Sequence, residues 1–245
     1  MKIATLIIAA ALGSGAIDAQ AATQPAQVDP NAVAALTRMS AYLRSIPAFQ
    51  ISLRTQRDDV DDYGQLITLG GGAIYRVRRP DAFFIDLGLP SLAAKLVYDG
   101  KTVTVYDARS NAYATAPALP TMRATLELAE QKYGNNVPLD DLFTWSDGDA
   151  LAKVLTSAHF IGEAQVEGRA TNHYAFRQAG RDWQIWIAAG DKPLPLRVAI
   201  VASNDSDRPQ FRADLYWDTA PKFAPNAFTF APPPNSVHVG VGPSP

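Results

Sequence analysis

The sequence predicts an α+β domain in which about eleven antiparallel strands form one sheet and helices gather on one face of it. The first observation is the alternation of apolar and polar residues with a period of two, as in residues 49–53 and 211–217. The second is turn chemistry between such stretches, of which Asp99-Gly100 is the strongest hairpin signal. The third is a pair of helical patterns with three- and four-residue spacing, one before the strands and one between two groups of them.

The first 21 residues have the pattern of a secretory signal peptide. Lys2 provides the positive charge, an apolar run follows, and Ala19-Gln20-Ala21 fits the cleavage site. The apolar run is about half of the roughly 20 residues that cross a bilayer, so it does not predict a membrane helix. We therefore expect a periplasmic protein, exported by this signal peptide, whose mature chain begins near Ala22.

Composition narrows the classes of function. The chain has no cysteine, so we expect neither disulfides nor the lipid attachment of a bacterial lipoprotein, and a mature chain that is neither membrane-spanning nor lipid-anchored. Its 22 Lys and Arg against 24 Asp and Glu give a net charge of −2, which provides no broad basic field for nucleic acid. With 47% hydrophobic residues, the chain is too apolar for a disordered protein.

The order of patterns predicts one domain. We expect a linker at residues 22–28, a single domain at 29–234 and a Pro- and Gly-rich flexible tail at 235–245. Asp29 is the expected N-cap of the first helix. Residues 121–155 read as a helical insertion between the two groups of strands, and its apolar residues must pack on the sheet.

Three consecutive glycines interrupt the second predicted strand, at Gly70-Gly71-Gly72. Glycine weakens a strand because it lacks a side chain to pack, and it commonly marks a bulge or a bend. The sequence therefore predicts a bulge or a sharp bend here, as a strongly curved sheet requires.

Signals for catalysis are weak. No G-x-S-x-G motif occurs, and the only bases of the histidine type are His159, His173 and His238, none of which is paired in sequence with a nucleophile. Zinc is unsupported because the chain has no H-x-x-x-H pattern and no cysteine. We expect a protein that is not an enzyme, with no catalytic residue, no metal and no cofactor.

One acidic cluster resembles a cation loop, at Asp58, Asp59, Asp61 and Asp62. It departs from the calcium-loop pattern, because Tyr63 stands where an oxygen ligand is needed and Gly70 replaces the terminal glutamate. A solvated hairpin turn explains the cluster better.

Several motifs resemble known proteins. R-R-P-D-A-F at 78–83, Y-D-G-K-T-V-T-V-Y-D at 98–107 and N-A-Y at 111–113 are similar to the core of the LolA/LolB-like periplasmic lipoprotein-carrier superfamily. H-Y-A-F-R-Q at 173–178 and D-W-Q-I-W-I at 182–187 resemble a narrower family of predicted periplasmic proteins of unknown function. The resemblance implies an unclosed, strongly curved half-barrel of about eleven antiparallel strands, with helices covering its concave face and an apolar cavity between them.

The leading hypothesis is a non-enzymatic binding protein that holds an acyl chain, a lipid or a lipoprotein-like apolar ligand in this cavity. Inward-facing apolar positions of the strands are the candidate lining: Phe83, Ile85, Leu87, Tyr174, Phe176, Trp183, Ile185 and Leu196. Alternation indicates burial, so core packing is the alternative for each of them. The alternative function is a protein-interaction or envelope-stress sensor domain without a lipid ligand, whose partner is an envelope protein that binds an exposed edge or apolar patch.

Overall fold

Two helices frame the first half of the chain. A computed structural model describes residues 27–89, 92–133, 139 and 153–240. Helix α1 spans Pro30–Ser45, and its N-cap is Asp29, whose carboxylate accepts a hydrogen bond from the Asn31 amide at 2.8 Å. Helix α2 spans Met122–Tyr133, and the Thr121 hydroxyl accepts from the Ala124 amide at 3.1 Å. Both helices therefore begin where their capping residues predict.

Twelve strands form one sheet in the part of the chain that the structure describes. Their bounds are β1 Ala48–Val60, β2 Leu66–Arg78, β3 Ala82–Gly88, β4 Ala93–Tyr98, β5 Thr102–Asp107, β6 Ala112–Pro117, β7 Ser157–Val166, β8 Arg169–Gln178, β9 Arg181–Ala188, β10 Pro195–Ala202, β11 Gln210–Asp218 and β12 Val237–His238. The order across the sheet is β12-β6-β5-β4-β3-β2-β1-β11-β10-β9-β8-β7. All neighbours are antiparallel except β12 and β6, and the order does not close into a ring. This arrangement confirms the predicted unclosed antiparallel half-barrel.

One face of the sheet, called the inner face below, carries the hydrophobic core. Alternation places Phe49 and Ile51 of β1 on this face, where they lie opposite Val77 and Tyr75 of β2. The buried side of α1, including Met39, and the buried residues of α2, including Met122 and Leu126, belong to the same core cluster. The helices thus cover the inner face, as the resemblance implies.

The opposite, outer face is partly covered by the chain that follows β11. Phe228 is buried there, with the Arg78 guanidinium 5.0 Å from its ring centroid. Phe230 contacts Tyr106 and Tyr113, with centroids 5.9 and 5.1 Å apart. This C-terminal segment, residues 219–236, explains why β5 is buried on both faces while the strands further along the sheet alternate.

The three glycines of β2 do not form the predicted bulge. The register between β1 and β2 runs unbroken through Thr55↔Gly71 and Arg54↔Gly72. A Cβ atom at Gly71 would lie 3.1 Å from the Gly88 carbonyl oxygen, from Leu89 Cδ2 and from Thr55 Oγ1. A Cβ atom at Gly72 would likewise lie 3.1 Å from the Leu53 carbonyl oxygen, whereas one at Gly70 would meet no atom within 4 Å. Close approach of neighbouring chain therefore explains Gly71 and Gly72 but not Gly70. The bulges in the sheet occur instead between Phe160 and Gly162 and between residues 195 and 197.

Two other predictions concern the C-terminal tail and the helical insertion. Strand β12 lies in the stretch for which the sequence predicts a flexible tail; the Val237 and Val239 amides donate to the carbonyls of Asn111 and Tyr113, each at 2.9 Å. The second half of the predicted helical insertion lies largely outside the described residues. Of its large apolar residues, Leu139, Val154 and Leu155 are described; Leu139 and Leu155 are buried in the core cluster, and Val154 is exposed.

Candidate functional site: the inner face of the half-barrel

All eight residues predicted to line a cavity lie on the inner face. They come from β3, β8, β9 and β10, and none is more than 7% exposed. The eight share one core cluster with the buried sides of both helices. Their burial is settled; contact with a ligand remains a prediction, because burial by packing gives the same exposure.

The residues from β8 and β9 form a tight aromatic cluster. The Phe176 and Trp183 rings stack with centroids 4.3 Å apart, and Tyr174 lies 6.3 Å from Phe176. Burial raises the pKa of the Tyr174 hydroxyl. Close ring contacts of this kind are typical of side chains that pack against one another.

Helix α1 is fastened to the same end of the sheet. The Asp29 amide donates to the Ala158 carbonyl at 2.9 Å, and the Ala158 amide donates to the Gln27 carbonyl at 3.1 Å. Val28 thereby forms a parallel bridge with Ala158 of β7. The start of α1 is therefore tied to the edge strand next to the aromatic cluster.

The other end of the inner face contains a cavity of about 410 Å³. Ala94 of β4, Val105 of β5 and Ala114 of β6 lie on its wall, together with Leu92, Asp107, Arg109, Ser110, Ala112 and Val239. Ala93 and Tyr113 also border it, although alternation places their side chains on the outer face. Ala94 pairs with the predicted residue Leu87, and Val105 is separated from Ile85 only by Leu96. The cavity wall therefore lies one to three strands beyond the predicted residues of β3, on the same face of the sheet.

Polar groups stand at one side of this cavity, in the turn between β5 and β6. The Asp107 carboxylate accepts from the Ser110 hydroxyl at 2.7 Å and from the Arg109 amide at 2.9 Å. These hydrogen bonds hold the pKa of Asp107 below its usual value, so the carboxylate is ionised at neutral pH. The wall is therefore apolar along the strands and charged at the turn.

Sequence reasoning missed the alanines of this wall, because the candidates chosen from the alternation were all large apolar side chains. Ala112, Ala114 and Ala116 occupy three successive inward positions of β6, and Ala94 occupies one on β4. A methyl group is too small to fill the concave side of a curved sheet. The available signal was this run of small residues at alternating positions.

A smaller cavity of about 160 Å³ includes one predicted residue, Leu196. Its wall also includes Val166, Leu215 and Trp217. The Trp217 indole donates to the Pro195 carbonyl at 2.7 Å, which fixes that ring. The other seven predicted residues line none of the cavities of about 410, 400 and 160 Å³ that the described residues form.

The histidines offer little for catalysis. His159 is exposed, and its Nε2 lies 2.7 Å from the Ser157 hydroxyl on the same strand, with no carboxylate among its described contacts. His173 lies on the outer face, stacked on Trp186 with centroids 4.0 Å apart, and burial lowers its pKa. A nucleophile–base pair needs a third group to orient the base.

The acidic cluster lies at the end of β1 and in the turn that follows it. Asp61 accepts from the Tyr63 and Gln65 amides at 2.9 and 2.8 Å, and Asp58 accepts from the Thr68 hydroxyl at 3.0 Å. Asp59 pairs with Arg57 at 2.9 Å. Across residues 27–89, 92–133, 139 and 153–240, no group of three or more potential metal ligands comes together.

Comparison with protein families decides what the chain is related to. Residues 32–242 match the model of a family described as predicted periplasmic protein, DUF2092. The chain belongs to this family. The match confirms the family resemblance and the periplasmic location predicted from the sequence. No helix in the described part of this DUF2092 protein is long and apolar enough to cross a membrane. No curated protein matches the chain in sequence.

Solved structures similar to this DUF2092 protein are distant in sequence. An uncharacterized conserved protein from Thermus thermophilus is 12% identical with a TM-score of 0.48, covering 86% of this chain and 99% of that one. A chain of the MucA/MucB complex of Pseudomonas aeruginosa is 16% identical with a TM-score of 0.48, and the match covers 82% of this chain and 61% of that one. A LolA superfamily protein from Nitrosomonas europaea is 9% identical with a TM-score of 0.39, and the match covers 81% of this chain and 97% of that one. Identities this low, with TM-scores below 0.5, carry no information on what this chain binds.

Proposed function

We propose that this periplasmic protein binds an acyl chain or a comparable apolar ligand in the cavity of the inner face at the β4–β6 end. The observation that carries the proposal is the cavity of about 410 Å³ behind the small side chains Ala94, Ala112 and Ala114. Its volume falls in the range of about 300–1,000 Å³ that is usual for small-molecule sites. In this proposal the protein is a binding protein and carries out no reaction.

The chemistry of the wall favours an apolar ligand. Leu92, Val105 and the alanines present carbon surface, and each methylene that moves from water into such a site contributes about 0.8 kcal/mol. The ionised Asp107 lies at the turn and is occupied by its own hydrogen bonds. A ligand with an apolar chain and a polar end fits a wall that is apolar along the strands and polar at one side.

The predicted residues would then have two roles. Leu87 and Ile85 lie beside the cavity through their cross-strand partners Ala94 and Leu96, and we propose that they support its wall. Tyr174, Phe176, Trp183 and Ile185 lie at the opposite end of the sheet, where we propose that they pack against α1 and hold it in place.

Filling the cavity should weaken binding. Ala112→Phe places a ring at a half-buried position on the wall, and we expect affinity for a fluorescent fatty acid to fall about tenfold or more. Exclusion of about two methylenes from the site, at about 0.8 kcal/mol each, gives a factor of this size. Fluorescence titration of the mature protein measures it.

The matched control is Ala175→Phe, which adds the same ring at a half-buried position of β8 on the outer face. Thermal unfolding of both variants shows whether they fold. Equal affinity of wild type and Ala112→Phe, with both folded, would contradict the proposed cavity, as would absence of fatty-acid binding by the wild type.

A second candidate function rests on the edge strand β7. Phe160 and Ile161 are 48% and 55% exposed there, beyond the point where Val28 bridges Ala158. An exposed apolar edge can pair with an extended segment of another protein. A photoreactive amino acid at position 161 should then crosslink to one envelope protein in the periplasm, and one at the outer-face position of Tyr216 should not. Identical adducts from both positions, or none from 161, would exclude this function.

A further inference from the structure

A second cavity, of about 400 Å³, lies on the outer face between the sheet and the C-terminal segment. Gln50, Arg76 and Phe84 provide its floor from three adjacent strands. Lys222 and Asn226 lie on the opposite wall, with Phe223 between them in sequence. Below, this cavity is called the outer pocket. It is separate from the inner-face cavity, with which it shares no residue.

The charges of the outer pocket are all positive. Arg76 and Lys222 are both on the wall, and none of the lining residues is acidic. Among the described residues neither cation forms an ion pair. The carboxylate across the sheet is Asp218, which lies opposite Gln50 and accepts from the Ala220 amide at 3.0 Å. In a protein of net charge −2, two cations with no acidic residue in the pocket lining form a local excess of positive charge.

The Arg76 guanidinium is held in place on one side only. Its Nε donates to Gln50 Oε1 at 3.1 Å, and its Cζ lies 5.0 Å from the centroid of the Phe84 ring. The described residues supply no acceptor for the two terminal nitrogens. An arginine fixed by one hydrogen bond and an aromatic ring retains the pair of parallel donors that matches a carboxylate or a phosphate.

The opposite wall is fixed by its own contacts. Phe223 and Phe228 pack edge to face, with centroids 5.0 Å apart, and the Ala227 amide donates to the Ala224 carbonyl at 3.0 Å. Phe228 is buried against Arg78 of β2. The two walls therefore form the pocket before any ligand arrives, which lowers the entropic cost of binding.

We infer that the outer pocket binds a small organic anion, with its carboxylate or phosphate on Arg76 and Lys222 and its apolar part against Phe84 and Phe223. The two cations and the side-chain amides of Gln50 and Asn226 supply donors for the anion, and the two rings supply the apolar surface. This inference is independent of the proposed acyl-chain site, because it involves different residues on the other face.

The probe for this site is phenyl phosphate, which combines both features, with benzoate as the carboxylate and benzyl alcohol as the neutral analogue. Two-dimensional NMR of the mature protein should show shifts for amides near Arg76 and in residues 222–229 with phenyl phosphate or benzoate, and none there with benzyl alcohol. The relative affinities of phenyl phosphate and benzoate show which anion the pocket prefers.

Replacing Arg76 with Gln should weaken phenyl phosphate binding about tenfold or more, since a hydrogen bond to a charged group contributes at least that factor. Lys222→Gln, at an exposed position, should weaken it by less. Arg54→Gln is the control, because Arg54 lies on the same face over Tyr216 and outside the pocket. The inference is overturned if no shifts appear in 222–229, or if Arg54→Gln and Arg76→Gln weaken binding equally, which would indicate a general surface effect.

Discussion

Replacing Phe83 with Ala should lower the free energy of unfolding by about 3–5 kcal/mol, the usual loss for a fully buried phenylalanine. Phe83 is 0% exposed, lies opposite Val77 and Tyr98 in the register, and its ring centroid is 5.2 Å from that of Tyr98. We expect this large loss because the ring is surrounded by protein, so that its removal leaves a cavity. Urea denaturation of the mature protein measures the loss.

Phe83→Leu is the control, because it keeps most of the volume and should cost less than about 1.5 kcal/mol. If the ring instead faced the space for a ligand, Phe83→Ala would lose much less stability and would change fatty-acid affinity. That outcome would move the binding site toward the centre of the inner face and contradict its proposed place at the β4–β6 end.

Removing the charge of Asp214 should cost about 2–3 kcal/mol, between the values for exposed and for fully buried ion pairs. Asp214 of β11 pairs with Arg197 of β10 on the outer face, and the two side chains are 13% and 19% exposed. Asp214→Asn keeps the size of the side chain and leaves the Arg197 guanidinium, which lies 5.9 Å from the Trp186 ring centroid, without its carboxylate.

A double-mutant cycle with Arg197→Gln isolates the energy of the pair. We expect the double variant to be less destabilised than the sum of the two single variants. Fatty-acid affinity should stay unchanged in every variant, because the pair lies on the face opposite the proposed site. Strictly additive losses would show that the two side chains stabilise the sheet separately.

Alternation and turn chemistry predicted most of the fold because they are local signals. Asp29 and Asp99-Gly100 marked the ends of elements, and the structure places a cap at the first and a turn at the second. The inward positions of β3, β8 and β9 were found for the same reason, since a period of two assigns each residue to a face.

Features that depend on contacts distant in sequence were not predicted. The role of Gly71 depends on Gly88 and Leu89 of the next hairpin. The local glycine rule indicated a bulge or a bend, and the register between β1 and β2 contains no bulge. Strand β12 pairs with β6, more than a hundred residues earlier, and a two-residue strand has no recognisable period. The Pro- and Gly-rich composition there indicated only a tail.

The candidate site was also predicted only in part. Large apolar residues were easily recognised as inward-facing, as with Trp183, whose ring stacks on that of Phe176. The described cavity of about 410 Å³ lies where the inward residues are small, at Ala94, Ala112 and Ala114. A cavity is indicated in a sequence by small residues at inward-facing positions. Its location also depends on the curvature of the whole sheet.

Photolabelling tests the central claim most directly. A fatty acid with a diazirine near its methyl end is irradiated with the mature protein, and the adducts are mapped by mass spectrometry after trypsin digestion. We expect adducts in the peptides 102–109 and 110–123, which contain Val105, Ala112 and Ala114, and their loss when unlabelled fatty acid is added in excess. Adducts confined to outer-face residues, or adducts unaffected by competition, would contradict acyl-chain binding on the inner face.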